Sequence, residues 1–302
     1  MLKAAIAGAI ALAVLQANAA ENFPSKPIRM IVPTGAGGVT DVLGRVVAHK
    51  LGESLGQQVV IDNRPGASGI VGSQLVAGAA PDGYTLLMVF PTHVVNPFLF
   101  KSMPYDTEKA FSPITIVSTV SLLLTVNPDL PAKSTQELIA YAKANPGKLN
   151  YGTVGSGSLG HLGAELFRSM SDTRMTQIAY KGSPQILAAL IGGEINMYMV
   201  ASISGVMPQL KSGRVRALGV STKQSLPVLP DVPPIANALP GYEARGWNGI
   251  LAPAGTPKPI IDKLHSELVK VVQSPEFGQI LAREGATPVG NTPAEFDAII
   301  RA

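Results

Sequence analysis

Pro27-Ile28-Arg29-Met30-Ile31-Val32-Pro33-Thr34-Gly35-Ala36-Gly37-Gly38-Val39-Thr40-Asp41 holds one full structural period of this chain. Pro27–Val32 is a short apolar strand, and Gly35–Gly38 is a loop in which side chains give way to bare backbone. Beyond Asp41, Leu43, Val46, Val47, Lys50 and Leu51 recur at helical spacing, with only Lys50 polar. Strand, glycine loop and helix in that order predict a parallel sheet with helices packed on its faces.

The same order repeats along the chain. Val59–Ile61 is a strand, Asn63–Gly69 a loop, Ile70–Ala79 a short helix and Thr85–Phe90 a buried strand. Ser134 and Glu137 form a capping box that opens a helix to Ala144, and Asn145-Pro146-Gly147 stops it. Leu149–Thr153 is the next strand. The second glycine loop, Gly155-Ser156-Gly157-Ser158, precedes a helix to about Met170. Gln177–Tyr180, Asn196–Met199 and Arg216–Val220 are strands, with Ser183–Ile191 helical. Helices over Pro259–Gln273, Pro275–Arg283 and Pro293–Arg301 close the chain, the last behind the Thr292/Glu295 capping box. Pro227–Pro240 reads as a surface connection.

Ile114–Val126 and Tyr242–Ala252 lack following helices and read as crossings between two lobes. The first lobe is therefore expected over residues 21–121 and 246–302, the second over 122–245. The expected fold class is α/β, with a mostly parallel sheet flanked by helices in each lobe and a hinge of crossing strands.

In open α/β sheets ligands bind beyond the C-terminal strand ends. The two glycine loops occupy that position, one per lobe. Glycines let backbone amides approach a ligand, and the following helix adds unpaired N–H groups and the positive end of its dipole. Such a pair suits an anion without needing Arg or Lys. Thr34, Thr153, Ser156 and Ser158 add hydroxyls. Asp41 reads as a helix cap or as a contact for an ammonium or hydroxyl, Lys181 as a cationic contact, and Arg64 as an anion contact or a loop salt bridge. His93 and His161 stand at loop or helix starts beside the expected cleft. Trp247 reads as hinge packing sooner than a ligand wall, and Met197-Tyr198-Met199 as core whose end could line the cleft.

Other chemistries fit poorly. Gly155-x-Gly157-x-x-Gly160 matches a dinucleotide fingerprint, yet Ala179-Tyr180-Lys181 offers no acid for a ribose. No G-x-S-x-G elbow or Walker A sequence occurs. His49, His93, His161 and His265 lie far apart, so no metal and no cofactor is expected. The rival reading is an exported α/β hydrolase-like enzyme with Ser156 or Ser158 as nucleophile and His161 as base.

The chain has 302 residues, 24 Lys+Arg, 20 Asp+Glu and no Cys, for a formal charge of +4. Without Cys, disulfide scaffolds, thiolate metal sites and cysteine nucleophiles are excluded. A mild cationic excess without basic runs argues against nucleic acid. Residues 1–20 read as an export signal: Lys3, an apolar run over Ala4–Leu15, and a small-x-small cleavage pattern ending at Ala19. The run is shorter than the roughly 20 residues that span a bilayer. The expected location is the periplasm.

Several further segments bear a joint resemblance: Ile31-Val32-Pro33 with Ala36-Gly37-Gly38 and Asp41, Asp62-Asn63-Arg64-Pro65-Gly66-Ala67, Pro81-Asp82-Gly83-Tyr84-Thr85-Leu86-Leu87, Asn96-Pro97 and Pro104-Tyr105-Asp106. Gly155–Ser158 with His161-Leu162, Tyr180-Lys181-Gly182 and Ala252-Pro253-Ala254-Gly255-Thr256-Pro257 continue it. In this order they resemble Bug-type periplasmic solute-binding proteins of tripartite tricarboxylate transporter systems. The resemblance implies a two-lobed type II periplasmic binding protein, non-enzymatic and monomeric. It would hold a small carboxylate between its lobes and deliver it to membrane permease subunits; a rival reading, outside the resemblance, is a partner that presents the ligand to a sensor. It implies that Thr34, Gly37, Gly38, Asp41, Ser68, Thr92 and His93 line one lobe. Thr153, Ser156, Gly157, Ser158, His161, Tyr180, Lys181 and Gly182 would line the other. The chain departs from the family pattern at Thr34, Gly35, Gln177 and Ala179, near the expected cleft.

Overall fold

A computed structural model describes residues 22–37 and 39–301. The expected export signal, Gly38 and Ala302 lie outside the described residues. The first part of the chain runs β1 (Ile28–Val32), α1 (Val39–Leu55), β2 (Val59–Asn63), α2 (Ile70–Ala77), β3 (Thr85–Val89), α3 (Thr92–Leu99) and β4 (Phe111–Ser121). The middle runs β5 (Leu123–Val126), α4 (Thr135–Ala144), β6 (Leu149–Thr153), α5 (Leu159–Ser171), β7 (Met175–Ala179), α6 (Ser183–Ile191), β8 (Met197–Val200), α7 (Ile203–Lys211) and β9 (Arg216–Val220). The last part is β10 (Arg245–Pro253), α8 (Lys258–Gln273), α9 (Pro275–Arg283), β11 (Ala286–Pro288) and α10 (Pro293–Arg301).

Two sheets result. One has the order β11-β4-β10-β3-β1-β2, the other β7-β6-β8-β5-β9. The βαβ units pair in parallel, β2-β1-β3 and β7-β6-β8. The crossing strands and their neighbours β9 and β11 pair antiparallel. Each sheet is thus mixed rather than mostly parallel. The physical reason is connectivity: β4 runs on through Leu122 into β5, and β10 returns alongside it, so neither needs a helical crossover.

Side-chain alternation sets two faces per sheet. Met30 and Val32 of β1 join a core with Leu43, Leu86, Met88, Leu264 and Leu268 under α1 and α8. Ile31 faces the opposite side with Val76, Leu87, Leu251, Phe296 and Ile300. In the second sheet Met197 and Met199 pack with Tyr151, Phe167 and Tyr242, while Tyr198 and Val200 pack with Ile186, Leu190 and Val206. Phe296 lies so close over β10 that a Cβ on Gly249 would sit 2.3 Å from its ring.

Helices α3 and α7 lack the sequence signals of the others. Each carries an internal proline, Pro97 and Pro208. Pro227–Pro240 is less a free surface connection than an edge cover for β9: Ile235 is buried, and the Val220 N–H donates to the Pro233 carbonyl at 2.9 Å. Ser221 joins the two crossings. Its hydroxyl accepts the Leu122 N–H at 2.8 Å and donates to the Ala244 carbonyl at 2.5 Å.

Candidate functional site

The C-terminal ends of both parallel strand sets open on one cleft of about 480 Å³. That size suits a small organic ligand. From the first lobe, Pro33–Gly37 follow β1, Gly66–Gly69 follow β2, and Phe90–Thr92 follow β3. From the second, Thr153–Gly160 span the β6–α5 loop, Lys181–Pro184 follow β7, and Tyr198, Met199 and Ala201 mark the end of β8. Val120, Gly246, Trp247 and Asn248 come from the hinge strands β4 and β10. Helices α1, α2, α3, α5 and α6 all start from these loops, so their positive ends gather round one space.

The first glycine loop is bolted from behind. Gly37 has φ +83°, and its N–H donates to Asp41 Oδ2 at 2.9 Å. Asn63 Nδ2 donates to Asp41 Oδ1 at 2.9 Å and to the Thr34 carbonyl at 3.1 Å. Arg45 Nε donates to Asp41 Oδ2 at 3.1 Å. Asp41 is only 2% exposed. Burial alone would raise its pKa; the hydrogen bonds from Gly37, Asn63 and Arg45 outweigh it and hold the carboxyl below the usual range.

The second lobe-1 loop is conformationally costly. Gly66, Ala67, Ser68 and Gly69 all have positive φ, including the non-glycine values of +45° and +54°. Asn96 Nδ2 donates to the Ser68 carbonyl at 3.1 Å and holds the bend. Across the cleft, Thr153 Oγ1 accepts Gly155 N–H at 3.2 Å and Gln177 Nε2–H at 2.8 Å. Ser158 caps α5: its hydroxyl accepts the His161 N–H at 3.3 Å and donates to the Gly155 carbonyl at 2.8 Å. His161 Nδ1 accepts the Gly157 N–H at 3.2 Å. Burial lowers the His161 pKa, with Glu165 acting in the opposite sense. Tyr198 OH donates to Ser183 Oγ at 3.1 Å.

Among the described residues, the loop amides of Gly35, Ala36, Ser156 and Gly182 donate to no acceptor within the chain. Lys181 is the one charged side chain among the described lining residues. The cleft therefore presents free amides, hydroxyls and one cation, a set that accepts an anion.

Of the residues expected from the sequence, Thr34, Gly37, Ser68, Thr92, Thr153, Ser156, Ser158, Lys181 and Gly182 line the cleft. Gly38 lies outside the described residues. Asp41 does not line the cleft, because its carboxylate is spent on Gly37, Asn63 and Arg45. His93 turns away from it into a pocket with Tyr105 and Phe111, ring centroids 6.3 and 5.1 Å away. Burial pushes its pKa down to about 4, and the nearby Thr107 carbonyl offsets this only in part. Neither ring nitrogen has a hydrogen-bond partner among the described residues. His161 serves Gly157 rather than the cleft. Gly157 itself is packing-limited: a Cβ there would lie 2.6 Å from Leu99 Cδ1 of the opposite lobe. Tyr180 is outside the lining. Arg64 pairs with Asp62 at 2.9 Å.

Sequence reasoning missed Phe90, Ser183 and Asn248 and favoured hinge packing for Trp247, while the core strand Met197–Met199 also lines the cleft through Tyr198 and Met199. Trp247 does both: it stacks edge-on against Phe296 at 5.3 Å and lines the cleft. The missed signal for Phe90 was its position just beyond the C-terminal end of β3.

Residues 43–301 match the model of the TctC family, described as the tripartite tricarboxylate transporter family receptor. The chain belongs to this receptor family. It is 37% identical over 284 residues to BugT of Bordetella pertussis, covering 93% of this chain and 87% of that one. Among solved structures it resembles a protein of R. palustris with adipate, at 35% identity and a TM-score of 0.87, over 93% of this chain and 94% of that one. It also resembles the periplasmic binding protein BugD, at 31% identity and a TM-score of 0.83, over 92% and 94%. The TctC receptor fold thus carries its two sheets as two lobes, with the loops described above on their facing ends. Within this receptor, Ser158 and His161 share a backbone cap, not a nucleophile–base hydrogen bond.

Proposed function

We propose that this receptor captures a small organic carboxylate between its lobes in the periplasm and hands it to the membrane subunits of a tripartite transporter. The observation that carries this reading is the pairing of uncommitted loop amides from both lobes around a cleft with one cation and, among the described lining residues, no acid. A carboxylate accepts several of those amides in charge-assisted bonds and balances Lys181; a neutral ligand makes weaker bonds and leaves that charge unpaired. The relative solved with adipate supports the same ligand class.

The binding residues are Thr34, Gly37, Ser68, Thr92, Thr153, Ser156, Ser158, Lys181 and Gly182, joined by Ser183 and Trp247. Residues 21–121 and 246–302 form one lobe and 122–245 the other, and closure about the crossings expels water and strengthens each amide–carboxylate contact. The export signal is removed near Ala19, and the receptor works as a monomer without catalysis. The cap geometry of Ser158 and His161 favours binding over turnover.

Thermal shift and calorimetry against a panel of mono-, di- and tricarboxylates test the proposal. A ligand at 100 times its Kd should stabilise the fold by about 2.7 kcal/mol. No response to any acid, together with no co-purified acid by native mass spectrometry, refutes it.

A further inference from the structure

The cleft is polarised along the sheets. Sheet order puts Lys181, Gly182 and Ser183 after the edge strand β7, and Gly66–Gly69 after the edge strand β2. The opposite end abuts the hinge strands. There Trp247 and Val120 of the crossings meet Phe90 after β3, Met199 of β8 and Leu159 of α5. Leu159 packs directly on the hinge backbone: a Cβ on Gly246 would be 2.4 Å from its Cδ2. The polar groups at this end are neutral: the Trp247 indole N–H, the Thr92 hydroxyl and the almost fully buried Asn248 amide, one N–H of which donates to Ser118 Oγ at 3.3 Å. The outer end is thus amide-rich and cationic, and the hinge end is uncharged and mostly apolar.

We infer that the preferred ligand is a monocarboxylate with an apolar, aliphatic or aromatic body and no ammonium group. The inference rests on the carboxylate reading above and narrows it. One carboxylate takes the loop amides, with Lys181 adding its charge at the same end. A second carboxylate, on a chain long enough to fill the cleft, would meet Trp247, Phe90, Leu159 and Met199, where no cation and none of the free loop amides offsets its lost hydration. An α-ammonium fares no better. Among the described lining residues there is no Asp or Glu, and Asp41 is locked behind the loop by three donors.

Two ligand pairs isolate the two claims, read by fluorescence of the single tryptophan, Trp247, and by calorimetry. Hexanoate and adipate differ by one carboxylate; 4-methylpentanoate and leucine differ by one ammonium. Hexanoate should bind about tenfold or more tighter than adipate, and 4-methylpentanoate about tenfold or more tighter than leucine. Benzoate should bind in the range of hexanoate. Trp247→Ala, followed by calorimetry, should shrink the hexanoate-to-adipate ratio several-fold while melting cooperatively. Adipate binding as tightly as hexanoate, or leucine as tightly as 4-methylpentanoate, overturns this inference and leaves the carboxylate reading standing. Failure of every acid overturns both.

Discussion

Asp41 accepts the N–H of Gly37 at 2.9 Å, so the first helix turn clamps the loop that precedes it. The same carboxylate gathers Asn63 from β2 and Arg45 from α1. It braces the shape of the cleft-lining loop without itself lining the cleft.

Asp41→Asn should therefore weaken ligand binding by roughly tenfold and destabilise the fold by about 1–3 kcal/mol, from the loss of charged hydrogen bonds in a buried site. Calorimetry and urea unfolding measure the two effects. The pH sign follows from the lowered pKa of Asp41. Its contribution is full above the unfolded carboxyl value of about 3.9 and fades as pH falls through the lower folded value. Unchanged affinity in a stably folded Asp41→Asn protein would show that the clamp does not shape the site.

His161 must be neutral at Nδ1 to accept the Gly157 N–H. Its folded pKa is lowered by burial, so the neutral form's stabilisation is complete above about 6.5 and is lost as pH falls through the folded value. The Gly157 amide resonance should shift with that titration, and affinity should drop alongside it. In His161→Phe both pH responses should vanish. NMR titration of the amide, paired with binding isotherms at each pH, reads this directly.

Gly157 meets Leu99 across the lobes. Gly157→Ala should slacken closure and weaken binding by about tenfold, partly from the φ of +79° and partly from the clash. Adding Leu99→Ala should recover part of the affinity. No recovery would assign the whole effect to backbone strain.

Glu284 ends α9 in the first lobe, yet its carboxylate accepts the hydroxyl of Ser202 at 3.0 Å and that of Ser204, at the start of α7 in the second. It also faces the positive end of that helix. Glu284→Ala should cost about 1–2 kcal/mol through two lost charge-assisted hydrogen bonds and a lost helix-end anion. It should also loosen the lobes, visible as a larger radius of gyration in ligand-free X-ray scattering. A stability loss with no change in scattering would mark the contact as local packing.

Gly83→Ala serves as the contrast. The added methyl would strike Ile260 and the Phe23 ring before the N-terminal end of β3, away from the cleft, so the fold should lose about 1–3 kcal/mol while the affinity of the folded protein stays unchanged. Denaturant titration and calorimetry on the same preparation separate the two.

The strand–loop–helix units were legible because each is local. Ser183–Ile191, Leu149–Thr153 and Arg216–Val220 stand in the structure as their periodicity predicts. The glycine loops were legible for the same reason: positive φ at Gly37, Gly155 and Gly157 is a property of short stretches. Helices α3 and α7 were hidden by Pro97 and Pro208, whose local preference tertiary packing overrides. The orientation of Asp41 and His93 was hidden as well. Asp41 looks inward because Asn63 waits on the neighbouring strand, and His93 because Tyr105 and Phe111 close round it.

The amino-acid sequence alone determined the βαβ grammar, the two glycine loops and the lack of cysteine chemistry, since each depends on neighbours within a few residues. Only the tertiary structure decided which hydroxyls and amides share one cleft, that Trp247 and Met199 form its apolar end, and that both crossing strands meet at Ser221. Those relations join residues from Gly35 to Asn248, and no local preference encodes a distance between elements that far apart along the chain.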